Sequence, residues 1–136
     1  MITLSTSDNK RFVDVGGTDI WKSIYSTAEA RLGLYKNKVP LALDFLRTGN
    51  CEAKNSLETA RQINLIHDKL AQYDPEKAVY DIDNPHQPAP WSGKISPVIT
   101  SCANLYTTSD GKDLFSELVS ILTYSGIVNS DISIDG

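Results

Sequence analysis

The chain has 136 residues, 40% of them hydrophobic and 22% charged, with a formal net charge of −4. That is ordinary globular composition, which argues against disorder, at a length common for one domain and too short for two ordinary ones. Two cysteines, Cys51 and Cys102, are too few for a disulfide framework or a four-ligand zinc site, so apolar burial alone must hold the fold.

The charge is unevenly spread. Residues 1–55 carry a net +2 and residues 56–136 a net −6. An acidic half repels nucleic acid and anionic membranes and steers a basic partner. The apolar runs are too short to span a bilayer, and residues 1–6 lack the basic start and apolar run of an export signal, so a cytoplasmic protein is expected.

In chain order, Ile2-Thr3-Leu4-Ser5 alternates apolar and polar residues, Asp8-Asn9-Lys10 can turn, and Arg11-Phe12-Val13-Asp14-Val15 resumes the alternation. Two antiparallel strands follow from this, ended by Gly16-Gly17. Thr18-Asp19 offers cap oxygens to a helix whose Trp21, Ile24, Tyr25, Ala28 and Leu32 share one face. Pro40 suits the first turn of a short helix carrying Leu41, Phe45 and Leu46, with Gly49 as its stop.

Asn55 and Glu58 read as a capping box for a longer helix with Leu57, Ala60, Ile63, Ile66, Leu70 and Tyr73 on its apolar face. Asp74-Pro75 closes it. Residues 78–83 alternate like a strand. Four prolines between Pro85 and Pro97 then forbid regular structure, and residues 95–106 hold a further strand or a turn. Asp110 and Asp113 repeat the capping pattern before a helix with Leu114, Phe115, Leu118, Val119, Ile121 and Leu122, for which Gly126 reads as a left-handed terminator. Residues 131–135 alternate as a strand that can join the first hairpin. The expected fold is α+β: a small, mostly antiparallel sheet from N- and C-terminal strands against about four helices, in one domain over residues 1–136.

No catalytic constellation emerges. A cysteine nucleophile needs a histidine base, and only His67 and His86 are present, one in a predicted helix and one in the proline-rich loop. Asp81, Asp83 and His86 lie close enough in sequence to meet around an ion, yet Asp-x-Asp at a strand end is more often a turn device. Gly16-Gly17 lacks the rest of a phosphate-loop fingerprint. No metal, cofactor or catalytic residue is assigned.

One stretch resembles a known family. Residues 73–83 (Tyr-Asp-Pro-Glu-Lys-Ala-Val-Tyr-Asp-Ile-Asp), Pro88-Ala89-Pro90-Trp91-Ser92-Gly93, Ile95-Ser96-Pro97 and residues 107–115 are similar in order and spacing to immunity protein family 70 of bacterial polymorphic-toxin and contact-dependent growth inhibition systems. Ile24-Tyr25-Ser26-Thr27 occupies the place of a helix motif in that family. Tyr80 stands where the family usually has Trp, and Pro88-Ala89-Pro90-Trp91 where it has Pro-Pro-Trp.

The resemblance implies a non-enzymatic protein that binds the C-terminal domain of a cognate toxin in the producing cell. Many such toxins are nucleases with basic clefts, which an acidic inhibitor meets through charge. On this reading Asp81, Asp83 and Trp91 are the leading toxin contacts, with Glu52 and Asp110 as neighbours. The alternatives are that Trp91 packs on the core and the aspartates fix a turn, that the chain is a scaffold for another basic partner, or that it is a small cysteine-dependent hydrolase.

Overall fold

A computed structural model describes all residues, 1–136. The elements run β1 (Ile2–Thr6), β2 (Phe12–Gly16), α1 (Thr18–Arg31), a 3-10 turn (Gly33–Lys38), α2 (Pro40–Thr48) and α3 (Ala53–Leu70). A short 3-10 turn (Pro75–Lys77), α4 (Leu114–Val128) and β3 (Ile132–Asp135) complete the chain.

The sheet has the order β2-β1-β3, antiparallel throughout, so the last strand lies against the first. Leu4 pairs with Val13 on one side and Ile134 on the other. The period of two sends Ile2, Leu4, Val13, Val15 and Ile132 inward, where all five are buried. The helices cover that face. Trp21 and Ile24 of α1, Phe45 and Leu46 of α2, and Ile63, Ile66 and Leu70 of α3 are buried as their helical spacing requires. The Trp21 and Phe45 rings meet edge to face, 5.9 Å between centroids. α4 contributes Leu114, Phe115, Leu118, Ile121 and Leu122 to the same cluster. The expected α+β class and the closing of the hairpin by the C-terminal strand both hold.

Four local expectations are corrected. α3 begins at Ala53, earlier than the Asn55–Glu58 box places it, because Asp131 supplies the cap from across the molecule: its Oδ1 accepts the Ala53 N–H at 2.7 Å. Glu58 instead holds Arg61 at 2.6 Å and the Gln62 amide at 3.1 Å, and the Arg61 hydrogen bond pulls its carboxyl down to about 2. Leu57, assigned to the apolar face, is 53% exposed.

Gly126 does not end α4; it lies inside it, and Asn129 makes the left-handed cap at φ 59°. A Cβ on Gly126 would stand 2.5 Å from Leu57 Cγ, so this glycine exists to let α3 and α4 approach. Of the two cap candidates Asp113 is the true one, accepting the Ser116 N–H at 3.0 Å. Gly49 does stop α2, at φ 76°.

The fourth correction concerns residues 78–83, which form no strand. Val79 is buried against α1, and its backbone is satisfied by helix side chains. Its N–H donates to Thr27 Oγ1 at 2.8 Å, and its carbonyl accepts the Ser23 hydroxyl at 2.9 Å. The segment lies along a helix instead of pairing in a sheet, and only Val79 of it is buried.

Candidate functional site

The surface concavities of interest flank α2. On one side, α2, the start of α1, the start of β1 and residues 81–83 enclose a groove of about 330 Å³. Ile2, Trp21, Tyr25 and Leu46 give it an apolar lining, and Lys22, Arg47, Asp81 and Asp83 supply its charges. On the other side, the end of α2, residues 50–52, the first turns of α3 and β3 enclose a cleft of about 470 Å³. Its charged residues are Asp44, Glu52 and Asp131, with no cation among the lining groups.

The wall formed by residues 78–83 is set by a buried hydroxyl network. Tyr106 Oη lies 2.9 Å from Ser23 Oγ and 2.7 Å from Thr27 Oγ1. Those two hydroxyls hold Val79, and Ser26 Oγ accepts the Ile82 N–H at 3.0 Å. Burial pushes the Tyr106 phenol up to about 12, so it stays neutral and serves as a hydrogen-bonding group. No buried side-chain N or O lacks a partner, as a settled polar network requires.

Beyond Val79, Tyr80 Oη donates to Asp19 Oδ1 at 2.6 Å, and Trp91 packs edge to face on Tyr80 at 6.1 Å. Asp81 is committed internally: Oδ2 holds Lys22 Nζ at 2.9 Å and Oδ1 accepts the Asp83 N–H at 3.0 Å. The Lys22 hydrogen bond lowers the Asp81 carboxyl, and the same bond raises the Lys22 ammonium. Arg47 is likewise spoken for by Asp44 at 2.6 Å. Asp83 is exposed and its carboxylate holds no ion pair.

The sequence-derived site residues are therefore divided. Asp81 and Asp83 line the apolar groove, and Glu52 lines the acidic cleft, where only Lys54 stands near it at 3.4 Å. Trp91 lines neither; it is half-buried against the core and braces Tyr80. Asp110 belongs to a turn that docks on β2 through the Ser109 N–H and the Asp14 carbonyl, 3.1 Å apart. There its carboxylate accepts the Thr108 hydroxyl and faces Lys112 at 3.4 Å.

Neither thiol meets a histidine. Cys51 Sγ lies beside Ser56 and Thr59 hydroxyls at 3.5 and 3.6 Å. Cys102 donates to the Asp74 carbonyl at 3.2 Å, and burial pushes its thiol up to about 11, which disfavours the nucleophilic thiolate. His67 pairs with Asp68 and packs on Phe115. The Asp81, Asp83 and His86 grouping does not converge into a metal site, and no helix is long and apolar enough to cross a membrane.

The two concavities share α2 as a wall and are lined by five carboxylates and two cations. The family model for Immunity protein 70 matches residues 5–134. The chain belongs to the Immunity protein 70 family. The family match takes in the end of β1 and all of β2 as well as the segments between Leu57 and Gly126 that carry the resemblance in sequence. No curated protein and no solved structure matches the chain. An immunity protein acts through a toxin protein as partner. Sequence reasoning did not single out Trp21, Tyr25 and Arg47 on one side of α2 or Asp44 on the other, because only the packing of α2 between two grooves places them there.

Proposed function

We propose that this immunity protein neutralises the C-terminal domain of a cognate toxin of basic, nuclease type, by binding and without chemistry of its own, in the cytoplasm of the producing cell. The family match over residues 5–134 carries the reading. The charge of the α2 face supports the basic partner: Asp44, Glu52, Asp81, Asp83 and Asp131 stand there against Lys22 and Arg47. Complementary charge of this kind speeds encounter and fixes register.

Within that face Glu52 and Asp83 are the carboxylates we assign to toxin Lys or Arg side chains. Asp81 and Trp91 hold the wall that presents Asp83, and Asp110, on the turn docked against β2, is a peripheral contact. The test is co-expression with the toxin domain encoded beside this gene, counting surviving cells, with a sizing column to detect a complex. Survival only when this chain is present, together with a co-eluting complex, is expected. Cell death despite full expression, with no complex, would overturn the reading and leave a domain of this fold serving another basic partner.

A further inference from the structure

We propose that the groove between α1, α2 and residues 81–83 is an anchor pocket for one arginine side chain of the toxin. The inference rests on the immunity reading and adds the chemistry of the contact. At about 330 Å³ the groove is at the small end of the roughly 300–1,000 Å³ range of ligand pockets, with room for one large side chain. Its aromatic surface comes from half-buried Tyr25, with the edge of Trp21 at 7% exposure behind it, and its rim is charged.

The charges of that rim select the occupant. Lys22 is paired with Asp81 at 2.9 Å and Arg47 with Asp44 at 2.6 Å, which leaves Asp83 as the rim carboxylate without a salt bridge, with Lys22 acting on it only from a distance. The site already holds a cation of the same kind: Lys22 Nζ sits on Asp81 and 5.8 Å from the Tyr80 ring centroid. An incoming group must therefore be cationic at its tip and able to lay a flat or aliphatic body on aromatic surface. Arginine meets both demands, because its guanidinium stacks on rings and grips a carboxylate through two N–H bonds. An acidic side chain would leave Asp83 facing a like charge, and a purely apolar one would bury it unpaired.

The experiment uses the full chain with the toxin domain encoded beside it, and Asp83→Asn, Asp83→Lys and Thr18→Trp variants. Thr18 lines the groove, is exposed, and its side chain holds no hydrogen bond, so tryptophan there fills the space without undoing the fold. Thermal midpoints are compared first. Dissociation is expected about 10-fold faster for Asp83→Asn and about 100-fold faster for the other two, since loss of a desolvated charge pair is read in the off-rate. Changing only the association rate would mark Asp83 as a steering charge outside any pocket and overturn the proposal. So would unchanged binding, or a dimer of the free chain that Thr18→Trp abolishes.

A second arm separates this inference from the immunity reading. Titrating the isotope-labelled chain with N-acetyl-arginine amide, against N-acetyl-norleucine amide, is expected to shift the Trp21 indole and the Thr18 and Asp83 amides saturably for arginine alone. Failure of the toxin to bind the native chain would defeat the immunity reading, while this titration still decides the groove. No selective shift would defeat the groove.

Discussion

Replacing Thr27 by valine tests whether the hydroxyl network holds the wall of the groove beside α2. The substitution keeps shape and removes one oxygen. That oxygen accepts the Val79 N–H at 2.8 Å, contacts the Val79 carbonyl at 3.2 Å and lies 2.7 Å from Tyr106 Oη. The carbonyl and the phenol keep Ser23 as a partner, at 2.9 Å in each case. The N–H keeps nothing. An orphaned buried donor costs about 1–3 kcal/mol and a lost neutral hydrogen bond about 1 kcal/mol, so the expected loss is about 2–4 kcal/mol.

At ~2.1 cal/mol/K per residue, a chain of 136 residues loses about 3.5 °C of melting temperature per kcal/mol, which gives a drop of roughly 7–14 °C. Tyr106→Phe removes a phenol whose neighbours Ser23 and Thr27 still reach Val79. Its cost is about 1–2 kcal/mol, or roughly 4–7 °C. Thr27→Ser restores the acceptor and should recover most of the loss. Differential scanning calorimetry of the three variants gives the order. Thr27→Val no worse than Tyr106→Phe, or Thr27→Ser as bad as valine, would refute the claim that the Val79 N–H is what the network protects.

Gly126→Ala should destabilise by about 1–2 kcal/mol through overpacking, because the new Cβ would stand 2.5 Å from Leu57 Cγ. In a Leu57→Ala background the same change should instead stabilise by about 1 kcal/mol, the helix preference of alanine over glycine, and denaturant titration of the four proteins reads the change of sign. Asp131→Ala removes the acceptor of the Ala53 N–H and should cost about 1–2 kcal/mol, the range of a helix N-cap, by the same titration. The folded chain holds Tyr106 up to about 12 and Cys102 up to about 11, above their ordinary values of 10.0 and 9.0. Their contribution is intact below pH 9, and stability should fall as pH rises from there to 12, since the unfolded chain loses these protons first. Melting curves across that range should show a shallower fall above pH 10 for Tyr106→Phe.

Much of the fold was legible because its signals are local. Alternation marked β1, β2 and β3, and helical spacing marked Trp21, Ile24 and Ala28 of α1 or Ile63, Ile66 and Leu70 of α3. What the sequence hid depends on partners far along the chain. Residues 78–83 carry a strand's pattern, and only Ser23 and Thr27, more than fifty positions earlier, reveal that a helix takes the place of a neighbouring strand. Gly126 has the composition of a terminator, and Leu57, brought by a different helix, gives it its real task. Of the candidate site, the sequence offered residue types and not their arrangement. Asp81, Asp83 and Glu52 do reach the α2 face, but their differing commitments, Asp81 to Lys22 and Asp83 to none, are set by tertiary geometry.

The same long-range bonds bear on how this face can bind. α2 is the shared wall of both concavities, and no side chain of its own caps its start. Gln62 of α3 does so instead, its Oε1 accepting the Leu41 and Ala42 N–H groups at 2.9 and 3.1 Å. Asp131, leading into β3, fixes the start of α3 beside the acidic cleft, and α1 fixes residues 79–82 beside the groove. Each boundary of the face is thus tied to a different element by a buried or half-buried bond, and the proline-rich segment beyond is braced through Trp91 on Tyr80. A surface held this way gives up little conformational freedom when a partner arrives, so more of its contact energy is left to appear as affinity. Under the proposed function this rigidity would serve an inhibitor that must act early, because the carboxylates of Glu52 and Asp83 are already held in place before a basic partner arrives.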